Sequence, residues 1–528
     1  MKKKICIWGG GWSGLTAALE ASESSDCEVH LYESSTNFGG KVSGTVSEKD
    51  KISTHAIRLI SEYYPAFADV CSRIPTVDNK TLLDRWSPIY YFNFSSTSKN
   101  KVHKVHRKIN KSFIGNIQLL RAALFTFRLR LKDIIKVAKA IKAFRILNED
   151  EIKDLEEKRV SIKEYFEKYN LSDKAKDFLF TYLGITVAAR ADSMASMGMD
   201  LMSKMFIGTH RSNHLQENQY IQFRSWVIDG PLGDRLIPPF IAELQKRNVH
   251  LHTNSRLSGF KKTQGDKTIA KLNEHIEVEA DAHILALNNK VIENLGFGRT
   301  HQPLNNEWSI GVIFPITSIP KSLEKISKKS VTAVMDSEWA IVFVIWCKES
   351  DGGLWSNDIT FPKEYNYFLE VVASRLDKKG TTDKTFFECN PQDALNEILT
   401  QIGIHKNEIP DIISNAKFCD NLEYVNESTE DKFSLYGPKN KEDYRWRLYA
   451  PIYTASPETP PLDQTTKCKH IYLCGEAVKT EYSYIKTPTL ELTSETAKAV
   501  VQNIFDEFSI PQKVNQEYPS RFAKRQSN

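Results

Sequence analysis

Among its 528 residues the chain has eight cysteines and no C-x-x-C pair. Cys6, Cys27, Cys71, Cys347, Cys389, Cys419, Cys468 and Cys474 are scattered along it. That spacing argues against a zinc ribbon or a disulfide framework and fits a reducing compartment. No metal centre is expected. Long apolar runs are missing too, since Ala340–Trp346 is too short to span a bilayer and no longer run occurs. A dominant charge is also lacking: the formal net charge of +5 is small for this length and does not argue for a nucleic-acid partner. There is no internal repeat and no low-complexity tract. Met1–Lys2–Lys3–Lys4 leads straight into a strand, so no signal peptide is expected. The expected setting is cytoplasmic, or peripheral to a membrane at most.

What is present is an ordinary globular mixture, 26% charged and 11% aromatic, so most of the chain should fold. The length allows about three domains. The organising stretch is Ile5–Cys6–Ile7–Trp8–Gly9–Gly10–Gly11–Trp12–Ser13–Gly14, followed by Leu15–Thr16–Ala17–Ala18–Leu19. It reads as strand, tight turn and helix. Gly9, Gly11 and Gly14 have the spacing G-x-G-x-x-G. The first permits the sharp turn, the second admits a pyrophosphate to the backbone, and the third lets the helix pack close to the sheet. The helix N-terminus offers N–H groups and the positive end of its dipole to phosphate. Glu28–Glu33 reads as a second strand ending in an acid. Glu33 lies about 20 residues past the last glycine, where a carboxylate takes ribose hydroxyls. Gly39–Gly40 is another site of close backbone approach, with Lys41 as a nearby cation.

This order of glycines, acid and Gly-Gly-Lys resembles the FAD-binding flavoproteins that include amine oxidases and phytoene desaturases. The resemblance implies FAD as the cofactor, held by the Gly9, Gly11, Trp12, Ser13 and Gly14 loop, by Glu33 at the adenosine ribose, and by Gly39, Gly40 and Lys41 along the flavin. It implies that Leu257 meets the adenine through its backbone. It also implies that Gly475 and Glu476 contact the pyrophosphate and ribityl chain, and that Glu491 matches an acid of the flavin-side helix. Leu492 stands where the family has glycine. Ser53–Arg58 resembles the Glu-His-Gly-Phe-Arg segment of the desaturase and hydroxysqualene-dehydroxylase branch. His55 and Arg58 match it, whereas Thr54 and Ala56 depart from it. A flavin-side role for His55 and a hydrogen-bonded core histidine are equal alternatives. Cys474 beside Gly475 hints at a flavin thioether, but a small buried residue is the favoured reading.

From Lys101 to Arg145 the chain reads as basic and helical. A wheel puts Lys132, Lys136 and Lys139 on one face and Leu131, Ile134, Ile135, Ala138 and Ile141 on another. A solvated outer face is favoured there, and contact with an anionic membrane is the alternative. Met194–Met205 holds a cluster of five methionines, read as core packing. Asn390–Ile402 is an amphipathic helix with Asn390 as cap, Pro391 first and Gly403 just past its end. Thr487–Pro488 opens a last helix.

The expected fold is α/β. A Rossmann-type FAD-binding domain is assembled from residues 1–90, 221–300 and 456–510. A helical insertion spans 91–220, a mixed α+β substrate domain with a sheet spans 301–455, and 511–528 is a tail. The expected function is flavin hydride transfer on a small lipophilic, terpenoid- or carotenoid-like substrate, desaturase- or dehydroxylase-like. The alternatives are an amine oxidase, a redox-neutral flavin-dependent isomerase and a non-catalytic FAD-binding protein. The oligomeric state is not legible. One G-x-G-x-x-G has both a strand before it and an acid after it, so no separate NAD(P)H domain is expected. Anaerobic mixing with NADPH or NADH should therefore leave flavin absorbance unbleached. Rapid, saturable bleaching by either nucleotide would contradict the expectation.

Overall fold

The computed structural model describes residues 2–53, 57–61, 64–77, 79–98, 100–106, 129–145, 149–158, 160–176, 225–261, 268–297, 309–419, 422–426, 444–448, 462–478 and 489–516, with isolated positions between 117 and 179. Among these residues no helix is long and apolar enough to cross a membrane.

A five-stranded sheet carries the glycine turn. Its order is Ile471–Leu473, Ala282–Leu285, Lys3–Trp8, Cys27–Tyr32 and His250–His252. Every pair in it is parallel. The first strand is central, and Ile5, Cys6 and Ile7 are fully buried. A strand covered on both faces reads as a continuous apolar run rather than an alternating one. Side chains nevertheless alternate in direction, so each face has its own cover. Ile5, Ile7, Val29 and Leu31 pack in the cluster that includes the helices Trp12–Ala21, Pro65–Arg73 and Leu490–Glu507. Cys6, Trp8 and Tyr32 pack in the cluster of an antiparallel meander, Leu257–Lys261, Thr268–Leu272 and Ile276–Ala280.

The three helices are tied together by buried charge. Lys498, fully buried on the last helix, bonds Asp69 on the second helix at 2.5 Å and lies 3.1 Å from Glu20 on the first. A second sheet of seven strands runs Lys417–Phe418, Ile310–Ile316, Tyr367–Ala373, Val342–Trp346, Ser330–Val334, Tyr91–Ser96 and Lys101–His106. The helix Pro391–Ile402 contributes to the core on one of its faces, capped by Asn390 and ended by Gly403 at φ +94° as the sequence predicts.

Three expectations are corrected. Lys101–His106 is a strand rather than helix, because it pairs antiparallel with Tyr91–Ser96 around a turn in which Asn100 takes a left-handed φ of +46°. The helix Leu131–Arg145 buries Asp133, Val137 and Ala140 with Ile134 packed beside them, so part of the predicted apolar face turns inward while Leu131, Ile135 and Ala138 face out. Asp133 bonds Arg130 Nε at 3.1 Å, and Lys136 Nζ donates to the Asn170 carbonyl at 2.6 Å, so Leu131 and Ile135 are left 61% and 48% exposed. The last helix starts at Leu490 with Thr489 as cap, its Oγ accepting from the Leu492 N–H at 3.1 Å. Thr487 and Pro488 lie outside the described residues, as do the methionine cluster and His55.

His283 stitches the parallel sheet to the meander. It is fully buried, its Nδ1 accepts from Trp8 Nε1–H at 3.1 Å, and its Nε2 bonds the Thr268 carbonyl at 2.9 Å. Burial pulls its pKa down to about 4 from 6.5. The unfolded chain therefore takes up this proton first as pH falls. The stability from the neutral ring is complete above about 6.5 and drains away toward pH 4, by about 3 kcal/mol. Melting curves across that window should steepen in acid for the wild type and be flatter for His283→Gln. Equal slopes would show that the ring is not held neutral.

Candidate active site

The turn after the first strand is built by close approach. Gly9 has φ +105°, and a Cβ there would sit 2.4 Å from the Ala286 carbonyl oxygen. A Cβ on Gly14 would meet the Gly9 carbonyl oxygen at 1.8 Å, so this glycine packs helix on turn as expected. Gly11 differs from both. A Cβ there would find no atom nearer than 4.0 Å, because it would project into a cavity. The helix Trp12–Ala21 begins at this point with Gly11 as N-cap, and its first-turn N–H groups have no intrahelical partners.

The cavity measures about 1330 Å³. Ordinary small-molecule pockets reach roughly 300–1,000 Å³, so the space suits an extended ligand. Its lining brings together Gly9, Gly11, Trp12, Ser13, Glu33, Gly39, Gly40, Lys41, Arg58, Leu257, Gly475 and Glu476. Glu33 marks one end. Its carboxylate accepts from the Gly10 N–H at 2.7 Å and the Ser35 N–H at 2.8 Å, beside Ser255, Leu257 and Ser258. The other end is charged. Lys41 Nζ bonds Glu476 Oε1 at 2.5 Å, and Arg58 lies near Glu476 and Glu370. Burial pulls the Arg58 pKa down, while both carboxylates and Tyr64 raise it. The start of the last helix joins this lining through Thr489, Leu490 and Thr493.

A side chamber of about 50 Å³ shares Lys41, Ser53 and Arg58 with the main cavity. Its walls include Val46, Val227, Ile228, Leu232, Ile313, Trp346 and Trp355. Trp346 and Trp355 stack with centroids 5.2 Å apart, and Trp346 Nε1 donates to Glu370 Oε2 at 2.6 Å. Sequence reasoning missed these residues. The available signal was one acid inside the apolar run Tyr367–Ala373.

One predicted residue, Glu491, is not in the lining. Glu491 is fully buried, and its oxygens accept from the Ala66 and Phe67 N–H groups at 3.0 and 2.8 Å. It caps the helix Pro65–Arg73 instead of facing the cavity, because the Ala66 and Phe67 N–H groups at the helix start have no intrahelical partner and attract a carboxylate. Cys474 is also fully buried, and burial pushes its thiol up to about 12, which suits a packed residue rather than a flavin thioether.

The family described as flavin-containing amine oxidoreductases matches residues 12–311, more than half of the chain. No curated protein matches the sequence significantly. Among solved structures, an engineered putrescine oxidase double mutant is similar with a TM-score of 0.58 and 11% identity, covering 96% of this chain and 99% of its own. An oxidoreductase from Methanosarcina mazei follows at 0.55 and 12%, covering 94% and 99%. A protein from Exiguobacterium sp. 255-15, named as a candidate protoporphyrinogen oxidase, gives 0.56 and 15%, covering 96% and 99%. Identities this low speak for the fold alone. The open approach at Gly11, the Glu33 carboxylate and the helix start are the donor set that a dinucleotide such as FAD uses. Gly11→Val should fill the approach and abolish flavin retention while leaving the far-ultraviolet circular dichroism unchanged. A folded Gly11→Val protein that binds FAD normally would place the cofactor elsewhere.

Proposed function

The chain belongs to the flavin-containing amine oxidoreductase family and is an FAD-dependent oxidoreductase, and from that premise we propose that it oxidises a largely hydrophobic small molecule, in the manner of the desaturase-like branch. The observation that carries the reading is the apolar wall that Val227, Ile228, Ile313, Trp346 and Trp355 present beside the Arg58 end of the cavity. The walls of the side chamber are aliphatic and indole, and its charge is confined to Lys41, Arg58 and Glu370. At about 50 Å³ the chamber holds only a small group of the substrate, whose body would lie in the adjoining cavity against these walls.

In this reading Gly9, Gly11, Trp12 and Ser13 would hold the pyrophosphate, Glu33 the ribose and the Leu257 backbone the adenine. Gly39, Gly40, Lys41, Gly475 and Glu476 would hold the flavin side. When bound, FAD supplies the acceptor for a hydride. Lys41 and Arg58 bring two cations to the end of the cavity where negative charge would accumulate. The N-terminus of Leu490–Glu507 adds the positive end of a helix dipole there. The nucleotide-binding unit would comprise 1–90, 221–300 and 456–510, a division supported by the parallel sheet drawing strands from all three stretches.

A second reading, an amine oxidase, has one observation in its favour: Glu370 beside the stacked Trp346 and Trp355 offers a carboxylate and π faces to a cationic group. Arg58 opposes it, since its charge competes for the same carboxylate. Oxygen or a quinone would take the electrons. Exposed Leu131 and Ile135 beside exposed Lys132 and Lys139 support peripheral contact with an anionic membrane, where quinones reside.

Anaerobic flavin bleaching by a panel of isoprenoid alkenes and alcohols and of primary amines separates the readings. The proposal expects bleaching by hydrophobic compounds and none by amines. Bleaching by amines that Glu370→Gln abolishes would establish the second reading. With a hydrophobic substrate, Arg58→Met should lower kcat/KM by about 10²–10³-fold, the range for removing one preorganised charge donor. An unchanged kcat/KM would remove Arg58 from the substrate side.

A further inference from the structure

The sequence shows no metal-binding spacing, yet the parallel sheet assembles one set of ligands at its edge. Glu28 and His30 are two apart on one strand, so both side chains leave the same face. His250, on the neighbouring edge strand, is the register partner of His30. We propose that Glu28, His30 and His250 form a binding site for a divalent transition-metal ion, Zn²⁺ in its simplest form. One ligand atom from each lies within 4.8 Å of the others. Zinc bonds of about 2.1 Å in a tetrahedron set neighbouring ligand atoms roughly 3.4 Å apart. Glu28, with a side chain 44% exposed, and exposed His250 have room to rotate the remaining distance.

The hydrogen-bond geometry suits this role. His30 Nε2 bonds Glu28 Oε1 at 2.8 Å, and His30 Nδ1 bonds His252 Nε2 at 3.2 Å. A metal on Nε2 takes the place of the proton shared with Glu28. Nδ1 then carries the ring proton and donates it to His252, the outer-shell partner that ligating histidines generally have. Two imidazoles and a carboxylate suit zinc, nickel and copper better than magnesium or calcium.

One feature works against affinity. Lys4 is the register partner of Glu28 on the next strand, so it brings a positive charge beside the ligands. The site also bears on the cofactor cavity. The strand that holds His30 runs into Glu33, whose N–H donates to the His252 carbonyl at 2.8 Å. A metal at His30 and His250 would fasten the edge strand beside the residue proposed for the ribose.

The test is equilibrium dialysis of chelator-treated, tag-free flavoprotein against Zn²⁺, with metal analysis and melting curves. The expected result is one Zn²⁺ per chain and a rise in Tm with Zn²⁺ concentration. His250 is exposed on an edge strand, so His250→Ala should fold and lose both effects. His252→Ala should weaken binding about 10–100-fold, as loss of an outer-shell partner does. Lys4→Gln should tighten it. Substoichiometric binding to the wild type, binding by His250→Ala equal to the wild type, or a Lys4→Gln protein that binds no tighter would each overturn the assignment.

Discussion

The closest backbone approach in the cofactor half is between Gly14 and the Gly9 carbonyl, where a Cβ would leave only 1.8 Å. That contact presses the first helix onto the end of the first strand and fixes the line along which its N-terminus points. It also sets where Trp12 and Ser13 meet the last helix. Trp12 Nε1 donates to Ser494 Oγ at 2.8 Å, and Ser13 Oγ donates to the Thr493 carbonyl at 3.2 Å. Residues nearly the whole chain apart thus close the back of one turn. The entropy of closing so long a loop grows only slowly with its length, so a site built from distant segments is thermodynamically accessible.

Charge is distributed over the cavity with the same economy. Glu33 sits at the end where hydroxyls are expected, with Arg256 and Glu274 also in the lining, and its carboxylate is already held by two backbone N–H groups. The opposite end gathers Lys41, Arg58, Glu476 and Glu370. Lys41 bonds Glu476, and Glu476 and Glu370 favour the charged form of the buried Arg58, so the end stays polarised without a large net charge. Beyond Arg58 the walls turn apolar. This gradient, from hydroxyl-binding to charged to hydrophobic, is the physical basis for reading a lipophilic substrate.

What the sequence revealed and what it hid follow from the range of each constraint. The glycine turn was legible because strained backbone and helix packing demand glycine locally, at Gly9 and Gly14. The helix Pro391–Ile402 was legible because its cap, first proline and terminal glycine are neighbours in sequence. Lys101–His106 was not, since its valines and lysines make a strand only once Tyr91–Ser96 is beside them. Glu491 resembled a flavin contact, yet the orphan N–H groups that claim it belong to a helix more than 400 residues earlier. The inward face of Leu131–Arg145 was misread in part because the bonds of Asp133 and Lys136 outweighed its hydrophobic pattern. Glu370 and the Glu28–His30–His250 group depend on strand register, which spacing along the chain does not display.

The central claim is that this cavity holds one redox-active FAD. Its most direct measurement is acid release of the chromophore from purified, FAD-loaded protein, with its mass and stoichiometry determined. The account predicts intact FAD, non-covalently held, at one per chain. A folded protein that retains no flavin, or that releases only FMN or a nicotinamide nucleotide, would contradict it.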